Sequence, residues 1–442
     1  MITELAEDLF RSEGARLVAT LTSRFGTQHL QLAEDVVQEA LVRALQTWPY
    51  RGLPDNPAAW LMQTAKNLAL DHLRREQSWN RKQEGIAAEH ARWLATTAPE
   101  ENHDTFADDT LRMMVVCFHP QLSTEAQTAL ALRTLCGLSA AEIAAAFLST
   151  EAAVSKRLVR ARQRIRDLAL PFAVPAPADL PERLDGVLRT LYLLFNEGYK
   201  ASSGERLVRE DLCREAIRLA SLLAGNPATR EPRVHALLAL MLLNAARLPA
   251  RTDDAGHLLR LHEQDRSSWD FSHIQRGIYH LGLAAAGDVL SEYHLEAGIA
   301  ACHSTATDDA STEWPRILSL YDQLVALNAS PVAALNRAVA VARVHGPQAG
   351  LDALAAISNR SSLESYHLYH AIRGSLAAEL GHLAEALVNF RQAGNLATLP
   401  AERDFIARRI AECVERAGKT SCLTIFQERS DAPLGTRWNT VT

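Results

Sequence analysis

Between residues 149 and 170 six basic side chains, Lys156, Arg157, Arg160, Arg162, Arg164 and Arg166, stand against only Glu151 and Asp167. This local excess of cations occurs in a chain whose formal net charge is −6. Cations spaced along one helix suit the phosphates and base edges of duplex nucleic acid. The flanking residues supply the rest of such a reader. Ser139, with Glu142 three positions later, forms a capping box that opens a helix over 140–146. Phe147-Leu148-Ser149-Thr150 makes a short turn whose polar residues cap the next helix. That second helix carries Val154, Leu158, Ala161, Ile165 and Leu168 on its buried face, with the cations on or near the other side. This is the layout of a helix-turn-helix.

A second basic segment runs from Trp60 to Lys82, where Lys66, Arg74, Arg75, Arg81 and Lys82 face only Asp71 and Glu76. Trp60, Asn67 and Trp79 interleave with the charges. Aromatics beside cations suit unstacked bases, which need a π-face and a phosphate tracker.

Helices must position both segments. Residues 34–45 place Val36, Val37, Ala40, Leu41, Ala44 and Leu45 on one stripe and leave Glu34, Asp35, Gln38 and Glu39 largely off it. Trp48-Pro49-Tyr50-Arg51-Gly52 is expected to break that helix, and Asn56-Pro57 to start the next, over about 57–75. Alternating β-branched runs are nearly absent, so the fold class is all-α. Two connectors stand out: the acidic stretch 96–109, and 171–181 with Pro171, Pro175, Pro177 and Pro181. Near the C-terminus Gly374, Gly381, Ala386, Phe390 and Ala393 have tetratricopeptide spacing, and Gly346 precedes Gly381 by thirty-five residues. The expected pieces are 1–90, a linker 91–105, 106–170, a linker 171–181, a helical domain 182–275, helical repeats 276–420 and a tail 421–442.

With 442 residues, 48% of them hydrophobic and 22% charged, the chain reads as globular and multidomain. Its acidic N-terminus lacks the pattern of a secretory signal. The most apolar run, Leu237–Leu243, meets Asn244 well short of the ~20 residues of a membrane span. A cytoplasmic protein without a membrane segment is expected. No catalytic residue, cofactor or metal is assigned. The cysteines 117, 136, 213, 302, 413 and 422 include no C-x-x-C pair. Neither Cys117 with His119 nor His294, Cys302 and His303 has the second half of a zinc site. Asn196, Glu197, Tyr199 and Lys200 lack a nucleophile–base pair or a phosphate loop, and Asn196-Glu197-Gly198 reads as a helix end. EQDRSSWD (263–270) reads as a polar corner in which Asp265 pairs with Arg266.

AEDVVQEALVRAL (33–45), the turn at 48–52 and PAAWLMQTAKNLALDHLRR (57–75) closely resemble region two of sigma-70-type RNA polymerase sigma factors of the extracytoplasmic-function group. The helix-turn-helix at 138–166 resembles region four of the same group, in the expected order, so this resemblance covers about the first 170 residues. LYLLFNEGYKAS (191–202), REAIRLASLLA (214–224), HALLALMLLNAAR (235–247), EQDRSSWD and SPVAALNRAVAVA (330–342) look like the long extension of a subgroup carrying a tetratricopeptide-like domain.

The resemblance implies roles. Asp35, Gln38 and Glu39 would dock on the β′ clamp of core RNA polymerase, whose β flap is a further expected contact. Tyr50, Trp60, Lys66, Asn67, Arg74 and Arg75 would serve the minus-ten element of promoter DNA, with Tyr50 and Asn67 near a flipped-base pocket. Ser155, Lys156, Arg157, Val159, Arg160 and Arg164 would serve the minus-thirty-five element. Glu151 departs from the usual neutral start of this helix. It suits the helix dipole but repels phosphate. The chain is then a sigma factor and not an enzyme, its extension regulating it in cis and its repeats open to a protein partner. The alternative is a stand-alone helix-turn-helix regulator with a ligand- or peptide-binding repeat domain. A chain cut after Pro177 is expected to leave two folded sigma domains.

Overall fold

The computed structural model describes residues 2–81, 108–168, 179–358 and 360–430, apart from 148, 205, 206, 254 and 256. The side chains of Trp79, Arg81, Lys82 and Cys422, the connector up to residue 107, Pro171, Pro175 and Pro177 lie outside the described residues. Among the described residues the fold is helical, with one isolated β-bridge between Thr252 and Leu258.

The chain divides into two compact units. The first comprises residues 1–202, 208–245 and 279–287, and the second 203–207, 246–278 and 288–442. These divisions run elsewhere than the sequence-drawn borders at 170, 182 and 275.

In the first unit α1 (Ile2–Phe25) leads through a 3-10 turn (Thr27–His29) into α2 (Leu30–Arg51), and α3 (Pro57–Arg81) comes after it. The Asn56 carboxamide accepts from the Ala59 amide, and Pro57 fits the first turn because its missing N–H has no helical partner there. The expected break at Trp48-Pro49 does not occur. Helix α2 runs through Pro49 to Arg51 and ends at Gly52, whose φ of +81° suits glycine. Pro49 sits in the last turn and forfeits only one backbone bond. Leu45, expected on the buried stripe, is 39% exposed; Trp48 closes the stripe instead, edge-on to Trp60 with centroids 5.6 Å apart.

A hairpin of α4 (Asp109–Cys117) and α5 (Thr124–Leu135) comes next, each helix capped by the side chain before it, Asp108 and Ser123. Leu111, Met113, Met114, Val115, Val116, Cys117 and Phe118 are all buried, as are Ala129 to Leu132. A hairpin apolar on every side needs cover on every side. Helix α1 packs on both its helices, and so does α8 (Leu180–Tyr199). Between hairpin and α8 come α6 (Ala140–Ala146) and α7 (Glu151–Leu168). Helix α8 begins before Pro181, so the proline-rich connector stops short of its expected end. Its Gly186 lies so close to Phe118 that an added Cβ would meet the ring at 2.1 Å. A cut after Pro177 would therefore uncover Phe118, which alters the expectation of two self-sufficient domains. Helix α9 (Glu210–Gly225) pairs with α8, and α10 (Pro232–Ala245) is buried nearly all round. The apolar run Leu237–Leu243 is thus a core helix, and no helix among the described residues is long and apolar enough to cross a membrane.

Asn196-Glu197-Gly198 forms the last turn of α8, which ends at Tyr199 with the Lys200 amide bonded to the Asn196 carbonyl. Gly198 is needed because a Cβ there would meet the Cys213 amide nitrogen at 2.7 Å.

Past α11 (Phe271–Ala284), the second unit stacks helices in consecutive pairs: α12 (Glu292–Thr305) with α13 (Trp314–Leu327), α14 (Pro331–His345) with α15 (Pro347–Ala355), and α16 (His367–Glu379) with α17 (Leu383–Leu396). Gly346 and Gly381 make the turns of the last two pairs at φ +92° and +82°. Gly374 admits the Phe390 ring, which is fully buried with Ala386 and Ala393 and reaches a cluster holding Ile406 and Cys413 of α18 (Pro400–Ser430). That last helix extends past residue 421, where the sequence suggested a tail. In EQDRSSWD, Asp265 accepts from the amide and hydroxyl of Ser267 instead of pairing with Arg266. The Arg266 guanidinium donates to the carbonyls of His303 and Ala306, both at 2.7 Å, because the end of α12 leaves acceptors without helical partners. His294 bonds Ser291 at the other end of that helix, so it is not brought to Cys302 and His303.

Candidate nucleic-acid interface

The helix-turn-helix forms as its sequence requires. Ser139 and Glu142 make a reciprocal capping box at the start of α6, and Thr150 accepts from the Ala153 amide at the start of α7. Val154, Leu158, Ala161 and Ile165 are buried, while Leu168 is half-buried.

Five of its six cations fall into two sets. Arg157 pairs with Glu125 at 3.1 Å and lies 5.8 Å from the centre of the Phe147 ring. Arg162 pairs with Glu34 at 2.9 Å. Both lie half-buried, where sequence periodicity had put them on or near the open side. Lys156, Arg160 and Arg164 are exposed, as are Ser155 and Val159, the latter to 65%. These five make one continuous open face. Arg166 is held by the Gln163 carboxamide, and Glu151 stands exposed at the helix start.

On α2, Asp35 and Gln38 are exposed, and Gln31 donates to the Asp35 carboxylate at 2.9 Å. Glu39 is paired with Arg43 at 2.6 Å. Val42, half exposed, and Leu45 continue the same stripe one and two turns on, a feature that periodicity alone did not reveal. Tyr50, at the end of α2, is 89% exposed, so it does not pack beneath the loop. On α3, Asn67 accepts from Gln63 at 3.0 Å, and Arg74 and Arg75 are exposed about two turns further along. Lys66 is half-buried, and Trp60 is held by Trp48.

Sequence reasoning missed the side chains that hold these elements. Arg209 pairs with Glu142 at 2.6 Å, joining the start of α6 to the segment before α9, with Glu197 at 3.9 Å. Burial raises the Glu197 carboxyl above the ordinary carboxylate range, against the opposing pull of Ser202 hydrogen bonds and Arg209. Arg218 of α9 pairs with Asp108 at 2.7 Å, and Arg183 of α8 donates to the Val115 carbonyl at 3.2 Å. Ion-pair partners that lie so far apart in sequence leave no periodic signal. Cys117 is buried, and burial, with a smaller push from the nearby Glu34 carboxylate, drives its thiol up to about 12. It is therefore no thiolate at neutral pH.

Residues 9–79 match the family described as Sigma-70 region 2, and residues 112–165 match Sigma-70, region 4. Residues 183–285 match a family of unknown function, DUF6596. Over 381 residues the chain is 39% identical to Uncharacterized protein R00370 of Rhizobium meliloti (strain 1021), covering 86% of this chain and 89% of that one. Over 133 residues it is 27% identical to the Probable RNA polymerase sigma-C factor of Mycobacterium bovis and to the ECF RNA polymerase sigma factor SigC of Mycobacterium tuberculosis. Each of these alignments covers 30% of this chain and 68% of the relative. No solved structure matches.

Proposed function

The chain belongs to the extracytoplasmic-function group of sigma-70-type factors, with a helical extension behind its two sigma regions, and we propose that it binds core RNA polymerase, directs it to promoters and is regulated in cis by that extension. The observation that carries this reading is a pair of open faces of different chemistry. Asp35, Gln38 and Glu39 offer an acidic, partly apolar stripe for protein docking. Lys156, Arg160 and Arg164 flank Ser155 and Val159 on the second helix of the helix-turn-helix, a face for a DNA major groove. Tyr50 and Asn67 are open to unpaired bases near the minus-ten element, with Arg74 and Arg75 for the backbone. The chemistry of transcription belongs to the polymerase, and this chain supplies binding and positioning.

Run-off transcription with purified core polymerase tests the reading. Asp35→Lys with Glu39→Lys is expected to abolish polymerase capture while helical content by circular dichroism stays unchanged. Unchanged capture would exclude the docking assignment. A stand-alone regulator would bind duplex DNA tightly without polymerase, which the same preparations measure. Cis regulation is supported by the four links from α8, α9 and Arg209 to region four: Arg209 to Glu142, Arg218 to Asp108, Arg183 to Val115, and Gly186 to Phe118. A chain ending at Gly287 keeps every residue of the first unit, and its transcription is expected to differ several-fold from full length. Equal transcription over a range of polymerase concentrations would exclude control by residues 288–442.

A further inference from the structure

We infer that the first helices of the repeat pairs form a binding face for an extended, arginine-bearing polypeptide segment. Residues 258–266 of the chain itself occupy that face as an internal ligand. Helix α14 packs on α16 as well as on its own partner α15, so first helices lie side by side. Stacked repeats present such faces as extended binding surfaces. The stretch 258–266 crosses this one. At one end the Arg408 guanidinium of α18 donates to the Leu258 carbonyl at 3.1 Å. In the middle, His262 lies close enough to Asp309 and to Arg343 of α14 to feel both charges. At the other end Arg266 donates to the His303 and Ala306 carbonyls at the close of α12, both at 2.7 Å. All of these residues belong to the second unit.

The stretch is held as a bound segment is held rather than built in as core. Its backbone is extended at Arg260 and Gln264, with ψ of +159° and +134°, on either side of a 3-10 turn at Leu261–Glu263. His262, Glu263 and Asp265 are exposed, while Leu258, Leu259 and Leu261 are half-buried. Main-chain and arginine contacts fix it in place. The fit is also incomplete. Nη2 of Arg266, Oε1 of Gln264 and, on α12, Nδ1 of His303 are buried and make no hydrogen bond among the described residues. Each unmade buried bond costs stability, so a segment that satisfied them would hold this face better than the chain's own. Beyond the stretch, the Trp269 ring lies 4.8 Å from the Arg266 guanidinium and 5.8 Å from that of Arg247. The Asp270 amide then donates to the Ala246 carbonyl at 2.9 Å. With its end fastened there, the stretch stays tethered beside the face even when its contacts to the helices are released. Tethering gives it a high local concentration, so it excludes weak rivals and yields only to a better-fitting one.

A fluorescent peptide of residues 257–270, HLLRLHEQDRSSWD, is titrated with the full chain and its anisotropy read. Arg266→Ala in the chain releases the stretch and is expected to raise peptide affinity ~10-fold over wild type, where the tethered copy competes. Adding Arg408→Ala, at an exposed position, is expected to lower the affinity again by a similar factor. A peptide with alanine in place of Arg266 is expected to bind neither chain. Hydrogen exchange gives a second readout. In Arg266→Ala the amides of 258–268 are expected to exchange ~10-fold faster, while those of α12, α14 and α18 keep their wild-type rates. Equal peptide affinity for wild type and Arg266→Ala would overturn the internal ligand. So would exchange that quickens in the helices as much as in the stretch, the mark of a core element. Where Arg266→Ala proves poorly folded by circular dichroism, exchange in Arg408→Ala alone decides by the same two outcomes.

Discussion

Regions two and four both carry side chains suited to DNA, but the fold treats them differently. In region two Asp35, Gln38, Tyr50, Asn67, Arg74 and Arg75 are all open, and the hydrogen bonds they make are to neighbours on the same helix. In region four, Arg157 and Arg162 are tied to carboxylates on other elements, while the α4–α5 hairpin beneath them is covered by α1 and α8. An element held on two sides by other parts of the chain is the element whose position the chain can control. Region two is presented, whereas region four is gripped.

Removing the grip at its most buried point tests that contrast most severely. Phe118→Ala takes away the ring against which Gly186 is packed and is expected to lower stability by ~3–5 kcal/mol in chemical denaturation. If the loss stayed below ~1 kcal/mol, well under the usual cost of emptying an aromatic site, α8 would be a loose neighbour and the contrast would fail.

Sorting the cations of α7 gives the next effect. Arg160→Ala is expected to weaken duplex binding by polymerase-bound factor by ~1–3 kcal/mol, with thermal stability unchanged. Arg157→Ala, which removes a partly exposed pair with Glu125, is expected to cost ~0.2–1 kcal/mol of stability. Equal binding losses for the two would erase the distinction between open and tied cations.

The Arg209 junction supplies a subtler, pH-dependent test. Because burial raises the carboxyl of Glu197 in the folded state, that state holds its proton to higher pH than the unfolded chain does. Stability is therefore fullest below the ordinary carboxylate range and falls as pH rises from there to the raised folded value. Glu197→Gln is expected to flatten this fall in denaturation curves taken across pH, and an unchanged slope would remove Glu197 as its source. For region two the expected change in stability is smallest. Tyr50→Ala should leave stability within ~0.5 kcal/mol, as befits an exposed side chain, yet impair promoter opening in permanganate footprints.

The residues themselves were enough to reveal the helices of the helix-turn-helix, its capping box and the buried positions of α7. These arise from periods and local hydrogen bonds that act within a few residues. The helical pattern also identified Asp35 and Gln38 as open on α2, whereas Glu34, off the same stripe, is covered by Thr134 and Arg162. What local pattern could not tell is which open side chains stay open. Arg157 and Arg162 look the same as Arg160 and Arg164 along the chain, and only the arrival of Glu125 and Glu34 separates them. Pro49 looked like a helix breaker because its position in the last turn depends on where Gly52 ends the helix. Asp265 and Arg266 looked like a pair because the carbonyls that claim Arg266 lie 37 and 40 residues away.

The sequence by itself therefore determined the helices, their capping and the chemistry of their faces, through interactions between residues one to four positions apart. Tertiary structure alone decided that α8 and α9 belong with region four, that Gly186 must be small beside Phe118, and that Glu34 joins Thr134 to Arg162. Those contacts link residues 68 to 128 positions apart, and burial, which sets their strength, exists only once the chain has folded.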